Sequence, residues 1–169
     1  MSGMTPSPDP ADVRAQWTRN NPGLDTSPME VVALLKRATG LLDRAVEPLY
    51  EGAPLTAPEV DMLIPLRHAT GPVIARRLAA NLGLSRAGVS KTLARLERRG
   101  FIARTPNPAD RRAALVTVTE AGARAVDDLF PRQLAAEVAL LANLGDDREW
   151  VLEALARLVE AMESGQSRP

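Results

Sequence analysis

Apolar residues recur every three to four positions through most of the chain, which is the spacing of amphipathic helices. The pattern predicts a short helix over 11–20. It predicts a second, longer helix with Ser27 as N-cap and Pro28 just inside the first turn. Pro48 and Gly52 are expected to end that long helix.

The middle of the chain is predicted to hold three shorter helices. Residues 56–59, Thr-Ala-Pro-Glu, form a capping box that starts the first of them. The other two are predicted over 72–82 and 86–99, with Gly83 closing the former and Ser85 capping the latter.

The hydrophobic period then changes from three or four residues to two. Residues 101–105 and 114–118 alternate on either side of a loop, 106–112, that contains Pro, Asn and Asp. This pattern predicts a β-hairpin. A long helix capped by Thr119 and broken at Gly145, followed by one more helix, completes the chain. The predicted fold is mainly α with a small β-hairpin wing, that is, a winged helix-turn-helix between long terminal helices.

Composition narrows the possible chemistry. The chain has 169 residues, one His and no Cys, which excludes disulfides, Cys nucleophiles and thiolate metal sites. No apolar stretch is long enough to cross a membrane, and the N-terminus lacks the pattern of a signal peptide. We therefore expect a cytoplasmic protein without a membrane partner.

The net charge of zero conceals an uneven distribution. Residues 1–54 carry five basic and seven acidic side chains, and residues 119–169 carry five and ten. Residues 55–118 carry eleven basic side chains against four acidic ones. The basic segment coincides with the predicted winged helix-turn-helix, so we expect it to face DNA phosphates.

The second helix of the helix-turn-helix unit is the expected recognition helix. Val89, Leu93 and Leu96 would face inward, while the opposite side and the N-terminus are polar or small. The predicted DNA-binding residues of this helix are Ser85, Arg86, Gly88, Ser90, Lys91, Thr92 and Arg95. A solvated helix face is the alternative interpretation of the charges. The predicted wing would direct Arg111 and Arg112 toward the neighbouring minor groove.

Two other classes of function fit the sequence less well. An enzyme is disfavoured because the sequence lacks a Gly-rich phosphate loop, a Ser elbow and a set of metal ligands. His68 and Asp61 lie about two helical turns apart, on roughly one face of a helix, but without a nucleophile or a second base this pair is too little to support catalysis. A winged-helix module that binds only proteins is disfavoured by the basic middle segment. We expect no catalytic residue, no metal and no cofactor.

The sequence resembles the MarR family of bacterial transcription regulators. The resemblance covers roughly residues 11–163, and its most specific part is LERRGFIARTPNPADRRAALVTVTEAG. It implies a homodimer that binds a palindromic operator, typically as a repressor, with half-sites about one helical turn apart. It also implies that Asp110 and Arg112 support each other in the wing. Which of Arg111 and Arg112 enters the minor groove remains open.

A narrower resemblance, carried by WTRNNPGLDTSPMEVVALL, is to the urate-responsive, PecS-type branch of that family. It implies a ligand site at Trp17, Asp61 and Arg104, suited to a small anionic aromatic or carboxylate ligand. Thr92 stands where the branch has Arg, so the ligand could differ from urate. Trp17 could instead anchor its helix on the body of the protein.

The predicted organisation has five parts, in chain order. They are a disordered tail over 1–10, N-terminal dimerisation and ligand-binding helices over 11–54, the winged helix-turn-helix over 55–118, C-terminal dimerisation helices over 119–163, and a second tail over 164–169.

Overall fold

The computed structural model describes residues 9–110 and 114–166. Seven α-helices, three strands and a 3-10 turn make up this part of the chain. In chain order they are α1 (Pro10–Asn20), α2 (Met29–Tyr50), α3 (Ala57–Arg67), β1 (Val73–Ile74), α4 (Ala75–Asn81), α5 (Arg86–Arg98), β2 (Ile102–Pro106), β3 (Ala114–Val118), α6 (Glu120–Leu141), the 3-10 turn (Ala142–Asp147) and α7 (Arg148–Gln166). Among the helices described, none has the length and apolarity that crossing a membrane requires.

The predicted hairpin is confirmed, but it belongs to a three-stranded antiparallel sheet in the order β1-β3-β2. The predicted helix over 72–82 was therefore wrong at its start. Val73 pairs with Val116 and Ile74 with Leu115, so helix α4 begins only at Ala75. A two-residue strand is too short to show alternation, and only the tertiary contact with β3 stabilises it.

The boundaries of α2 also differ from the prediction. Its first helical residue is Met29, so Pro28 occupies the N-cap position predicted for Ser27. The Ser27 N–H instead donates to Asp25 Oδ1 in the preceding turn (2.9 Å). Pro48 lies inside the helix rather than ending it, because proline in the last turn removes only one backbone hydrogen bond. Gly52, with φ of +71°, follows the helix as predicted.

The hydrophobic core lies where α3, α5 and α6 meet the sheet. Its most completely buried members come from all four of these parts, from α4 and from the segment just before α3. They are Leu55, Val60, Met62, Leu63, Leu78, Val89, Leu93, Leu96, Ile102, Val116, Val126 and Leu129. The core therefore fixes α5 against the sheet and leaves its opposite side in solvent.

Three helices carry exposed apolar side chains at helical spacing that are not part of this core, and we call these rows the apolar stripes. They comprise Val31, Leu34, Leu41 and Leu42 on α2, Leu134, Val138 and Leu141 on α6, and Leu152, Leu155, Val159 and Met162 on α7. Exposed apolar rows of this kind are typical of an interaction face in a folded protein.

Candidate nucleic-acid interface

Helices α4 and α5 and the turn between them form a helix-turn-helix unit. Gly83 follows α4 with φ of +61°, a left-handed conformation that suits glycine. Ser85 Oγ accepts the backbone N–H of Gly88 (3.1 Å) and caps α5 as predicted. The buried residues of α5 are Val89, Leu93 and Leu96, so its opposite side is available to DNA.

The predicted contact residues at α5 differ in how exposed they are. Five of them are exposed around the N-terminal half of the helix: Ser85, Arg86, Gly88, Ser90 and Lys91. Thr92 is only half-exposed. This end of the helix has small residues at Ala87 and Gly88 and carries the positive end of the helix dipole, both of which favour close approach to DNA.

Removing the Ser85 cap is expected to destabilise this end of α5. Ser85→Ala leaves the Gly88 N–H without its acceptor and should lower the free energy of unfolding by about 1 kcal/mol. Urea denaturation at fixed protein concentration measures the change as a lower midpoint with an unchanged m value. Ser85→Asn keeps a capping oxygen and is the control. Equal stability of Ser85→Ala and the parent protein would contradict the assigned cap.

Arg95, the remaining predicted contact on α5, lies against a buried carboxylate. Its Nε donates to Glu59 Oε1 (2.7 Å), and Arg99 Nη1 donates to the two oxygens of the same carboxylate (3.0 and 3.1 Å). The side chain of Glu59 has 0% exposure, whereas those of Arg95 and Arg99 are 43% and 39% exposed. We call these three residues the Glu59 cluster.

The Glu59 carboxylate is held in its charged form. Burial acts to raise the pKa of Glu59, but hydrogen bonds from the Thr56 N–H, Arg95 and Arg99 outweigh it and lower the pKa below its ordinary value. The sequence predicted the capping bond from Glu59 Oε2 to the Thr56 N–H (2.9 Å). It did not predict the two arginines, which lie 36 and 40 residues further along the chain.

The base of the wing is organised around Asn107, which is buried. Its side chain accepts the Ala109 N–H (3.0 Å), and its carbonyl accepts the Asp110 N–H (3.2 Å). Arg111 and Arg112 lie outside the described residues, so their minor-groove role and the support of Asp110 for Arg112 stay predictions.

The three predicted ligand residues lie in separate surroundings. The Trp17 side chain on α1 is exposed. Asp61 accepts a hydrogen bond from Gln133 (3.3 Å), and Arg104 Nε donates to Glu97 Oε2 (2.7 Å). Among the hydrogen bonds and ion pairs of the described residues, none joins two of the three. Their joint role in ligand binding stays a prediction.

Asp61 belongs to a polar network between α2, α3 and α6 that the sequence did not reveal. The hydroxyl of Tyr50 donates to Gln133 Oε1, and Gln133 Nε2 donates to Asp61 and to Glu137 (2.8 Å for the latter). Burial raises the pKa of Asp61, and the nearby carboxylates of Glu137 and Asp43 raise it further. Asp61 therefore lies in a negative environment, which favours the protonated form of its carboxyl group.

A cavity of about 200 Å³ is lined by residues of α3 and α6 on another side of these helices. Its lining residues are Ile64, Arg67, His68, Val126, Asp127, Phe130 and Pro131. Arg67 bridges it with two bonds to Asp127, both of 2.7 Å. An apolar wall beside a cationic group is a common arrangement for small-ligand binding.

The fold and the site together define a winged helix-turn-helix protein of the DNA-binding class. Residues 53–113 match the model of the MarR family. PecS of Dickeya dadantii, an HTH-type transcriptional regulator, is 28% identical over 152 residues, which span 89% of this chain and 92% of PecS. Residues 53–113 are therefore a MarR-family domain, and the chain is a transcriptional regulator that resembles PecS over most of its length.

Two solved structures illustrate the similarity. The regulator PcaV of Streptomyces coelicolor, solved with its natural ligand, is 26% identical, has a TM-score of 0.63, and aligns over 83% of this chain and 98% of its own. The repressor CouR, solved on a 23-mer DNA duplex, is 27% identical, has a TM-score of 0.65, and aligns over 75% and 89%. The predicted winged-helix fold is thereby confirmed.

Proposed function

We propose that this regulator is a ligand-responsive repressor that binds a palindromic operator as a homodimer. The observation that carries the proposal is the exposed N-terminal half of α5, whose helix is fixed by a buried apolar face. Ser85, Arg86 and Lys91 would contact DNA in the major groove, with Ser90, Thr92 and the close approach at Gly88 completing the surface. CouR, a relative of similar fold, has been solved on DNA.

The apolar stripes support the dimer. They lie on α2, α6 and α7, outside the core of the winged helix-turn-helix. The terminal segments that contain these helices are also acidic, so pairing through them would turn the two basic segments toward DNA. A two-fold dimer presents its two recognition helices to half-sites about one helical turn apart. Residues 11–54 and 119–163 would thus be the dimerisation segments and residues 55–118 the DNA-binding domain.

The proposed ligand is a small anionic aromatic or carboxylate compound. PcaV and CouR have each been solved with a small-molecule ligand, p-coumaroyl-CoA in the case of CouR. Trp17, Asp61 and Arg104 remain the residues proposed from sequence. The cavity at Arg67 and His68 offers an apolar wall, but the Arg67 guanidinium there is already paired with Asp127. Such a ligand would release DNA only by binding one dimer geometry more tightly than another.

The proposed function is tested by selection of DNA from a random double-stranded library, followed by fluorescence anisotropy over a range of salt concentrations. We expect enrichment of a palindrome and an affinity that falls steeply with salt. Addition of urate, aconitate or a phenolic acid should then release the selected duplex. Absence of any binding at low salt would overturn the DNA-binding function. Binding without release by any such acid would overturn only the proposed ligand class.

The same proposal assigns the protein no catalytic reaction and places its action in the bacterial cytoplasm, at the nucleoid. Within the described residues, no group of three or more acidic or histidine side chains is arranged to hold a metal ion. A regulator of this kind needs only DNA, a second copy of itself and a ligand.

A further inference from the structure

The recognition helix carries more positive charge than it can offer to DNA. Its basic residues, including the C-cap, are Arg86, Lys91, Arg95, Arg98 and Arg99. Two of these five are bonded to one carboxylate that has no access to solvent. A buried carboxylate that loses its partners is left without solvation, which costs far more than breaking an exposed ion pair. Both arginines are therefore retained by Glu59.

Glu59 is itself firmly fixed. It lies at the start of α3, where its Oε2 accepts the Thr56 N–H in the capping box. Arg99 is held further by a hydrogen bond to the Pro54 carbonyl and by its position over the Phe101 ring, 5.0 Å from the centroid. Arg95 has Glu59 as its partner and keeps a half-exposed guanidinium next to the proposed DNA surface.

We propose that Glu59 is a specificity-determining residue that withholds Arg95 and Arg99 from DNA phosphates. The proposal rests on the proposed function in DNA binding. Phosphate contacts raise affinity for every sequence alike, whereas base contacts distinguish the operator. By neutralising charge on α5, Glu59 lowers non-specific affinity and leaves the discrimination to the N-terminal half of the helix.

Glu59→Gln tests the proposal, because glutamine is also accepted in a capping box and keeps the bond to the Thr56 N–H. The amide has no charge to hold the arginines. We expect a Tm a few degrees lower and tighter binding to a scrambled duplex at low salt. If the two copies of Arg95 in a dimer each reach a phosphate, the plot of log affinity against log salt concentration becomes steeper by about 2 units of slope. We call this quantity the salt slope. The loss of affinity between 50 and 200 mM salt would then grow about tenfold.

Two further variants identify the source of the change. Arg95→Ala should leave the salt slope of the parent protein unchanged, because Glu59 already holds that charge. In the Glu59→Gln background the same substitution should remove most of the added slope. Glu120→Gln is the control for net charge, since it removes the same charge and frees Arg124 on the exposed start of α6.

The outcomes separate the possible explanations. Failure of the parent protein to bind DNA would overturn the proposed function itself. If the parent protein binds DNA and Glu59→Gln has the same salt slope, the role of Glu59 in specificity would be overturned and only a structural role would remain. If Glu59→Gln does not fold, Arg95→Ala decides alone: an unchanged slope supports the proposal, and a slope shallower by about 2 overturns it.

Discussion

Gly122→Ala is expected to lower the free energy of unfolding by about 3 kcal/mol, because the new methyl group has no room. A Cβ at this position would lie 2.1 Å from the Phe101 carbonyl oxygen and 2.9 Å from Val118 Cγ2. The closest of these atoms belongs to the backbone and cannot rotate away. Either α6 or the start of β2 must therefore shift.

The surrounding bonds resist that shift. Thr119 donates its N–H to the Phe101 carbonyl (3.0 Å) and its hydroxyl to the Gly100 carbonyl (2.6 Å). Thr119 Oγ1 also accepts the N–H of Gly122 (3.1 Å), which caps α6. These hydrogen bonds hold the start of α6 against the segment that follows α5. Gly122 lies at this contact, where only glycine fits.

Thermal and urea unfolding at fixed protein concentration measure the effect of Gly122→Ala. A loss of about 3 kcal/mol corresponds to a fall in Tm of roughly 10 °C for a domain of this size. Gly71→Ala is the matched control, because a Cβ at Gly71 meets no atom within 4 Å and its φ is not in the left-handed region. It should be neutral or stabilise the protein by up to about 1 kcal/mol. A loss below about 1 kcal/mol for Gly122→Ala would contradict the close approach.

The sequence predicted most of the fold because its signals are local. The capping box at Thr56, the cap at Ser85 and the alternation in the hairpin each depend on residues within one element, and all three are confirmed. Strand β1 was missed because two residues give no period. Its pairing with β3 joins Val73 to Val116, a contact that no local pattern encodes.

The candidate site was predicted less completely, and the reason is tertiary contact. Arg95 has the same local signature as Arg86, a basic residue on the polar side of α5, yet only Arg95 reaches the buried Glu59. Likewise, Arg104 is bonded to Glu97 on α5. The family resemblance that grouped Arg104 with Trp17 gave no information on this partner. The charge of each segment indicates where the proposed DNA-binding surface lies, but it does not show which arginines are bonded within the protein.

Leu155→Glu is expected to convert the proposed dimer into a monomer. Leu155 is 46% exposed on the apolar stripe of α7, where residues 152, 155, 159 and 162 share one side of the helix. If that side is covered by a second copy, the substitution places a charge in an apolar interface without a partner, which costs several kcal/mol. Ala161→Glu introduces the same charge on the opposite, exposed side of α7 and is the control.

Light scattering after size-exclusion chromatography and operator binding measure two consequences of Leu155→Glu. At micromolar concentration the variant should elute as a monomer of 18.1 kDa, whereas the parent protein and Ala161→Glu should elute as dimers. A monomer contacts only one half-site, so two monomers must bind the palindrome in separate steps, each with its own entropy cost of association. The affinity for the palindrome should therefore fall about 100-fold or more. If Leu155→Glu is still a dimer, the apolar stripe of α7 is not covered by a second copy of the chain. A monomer that still binds the palindrome with undiminished affinity would contradict the two-fold arrangement of the recognition helices.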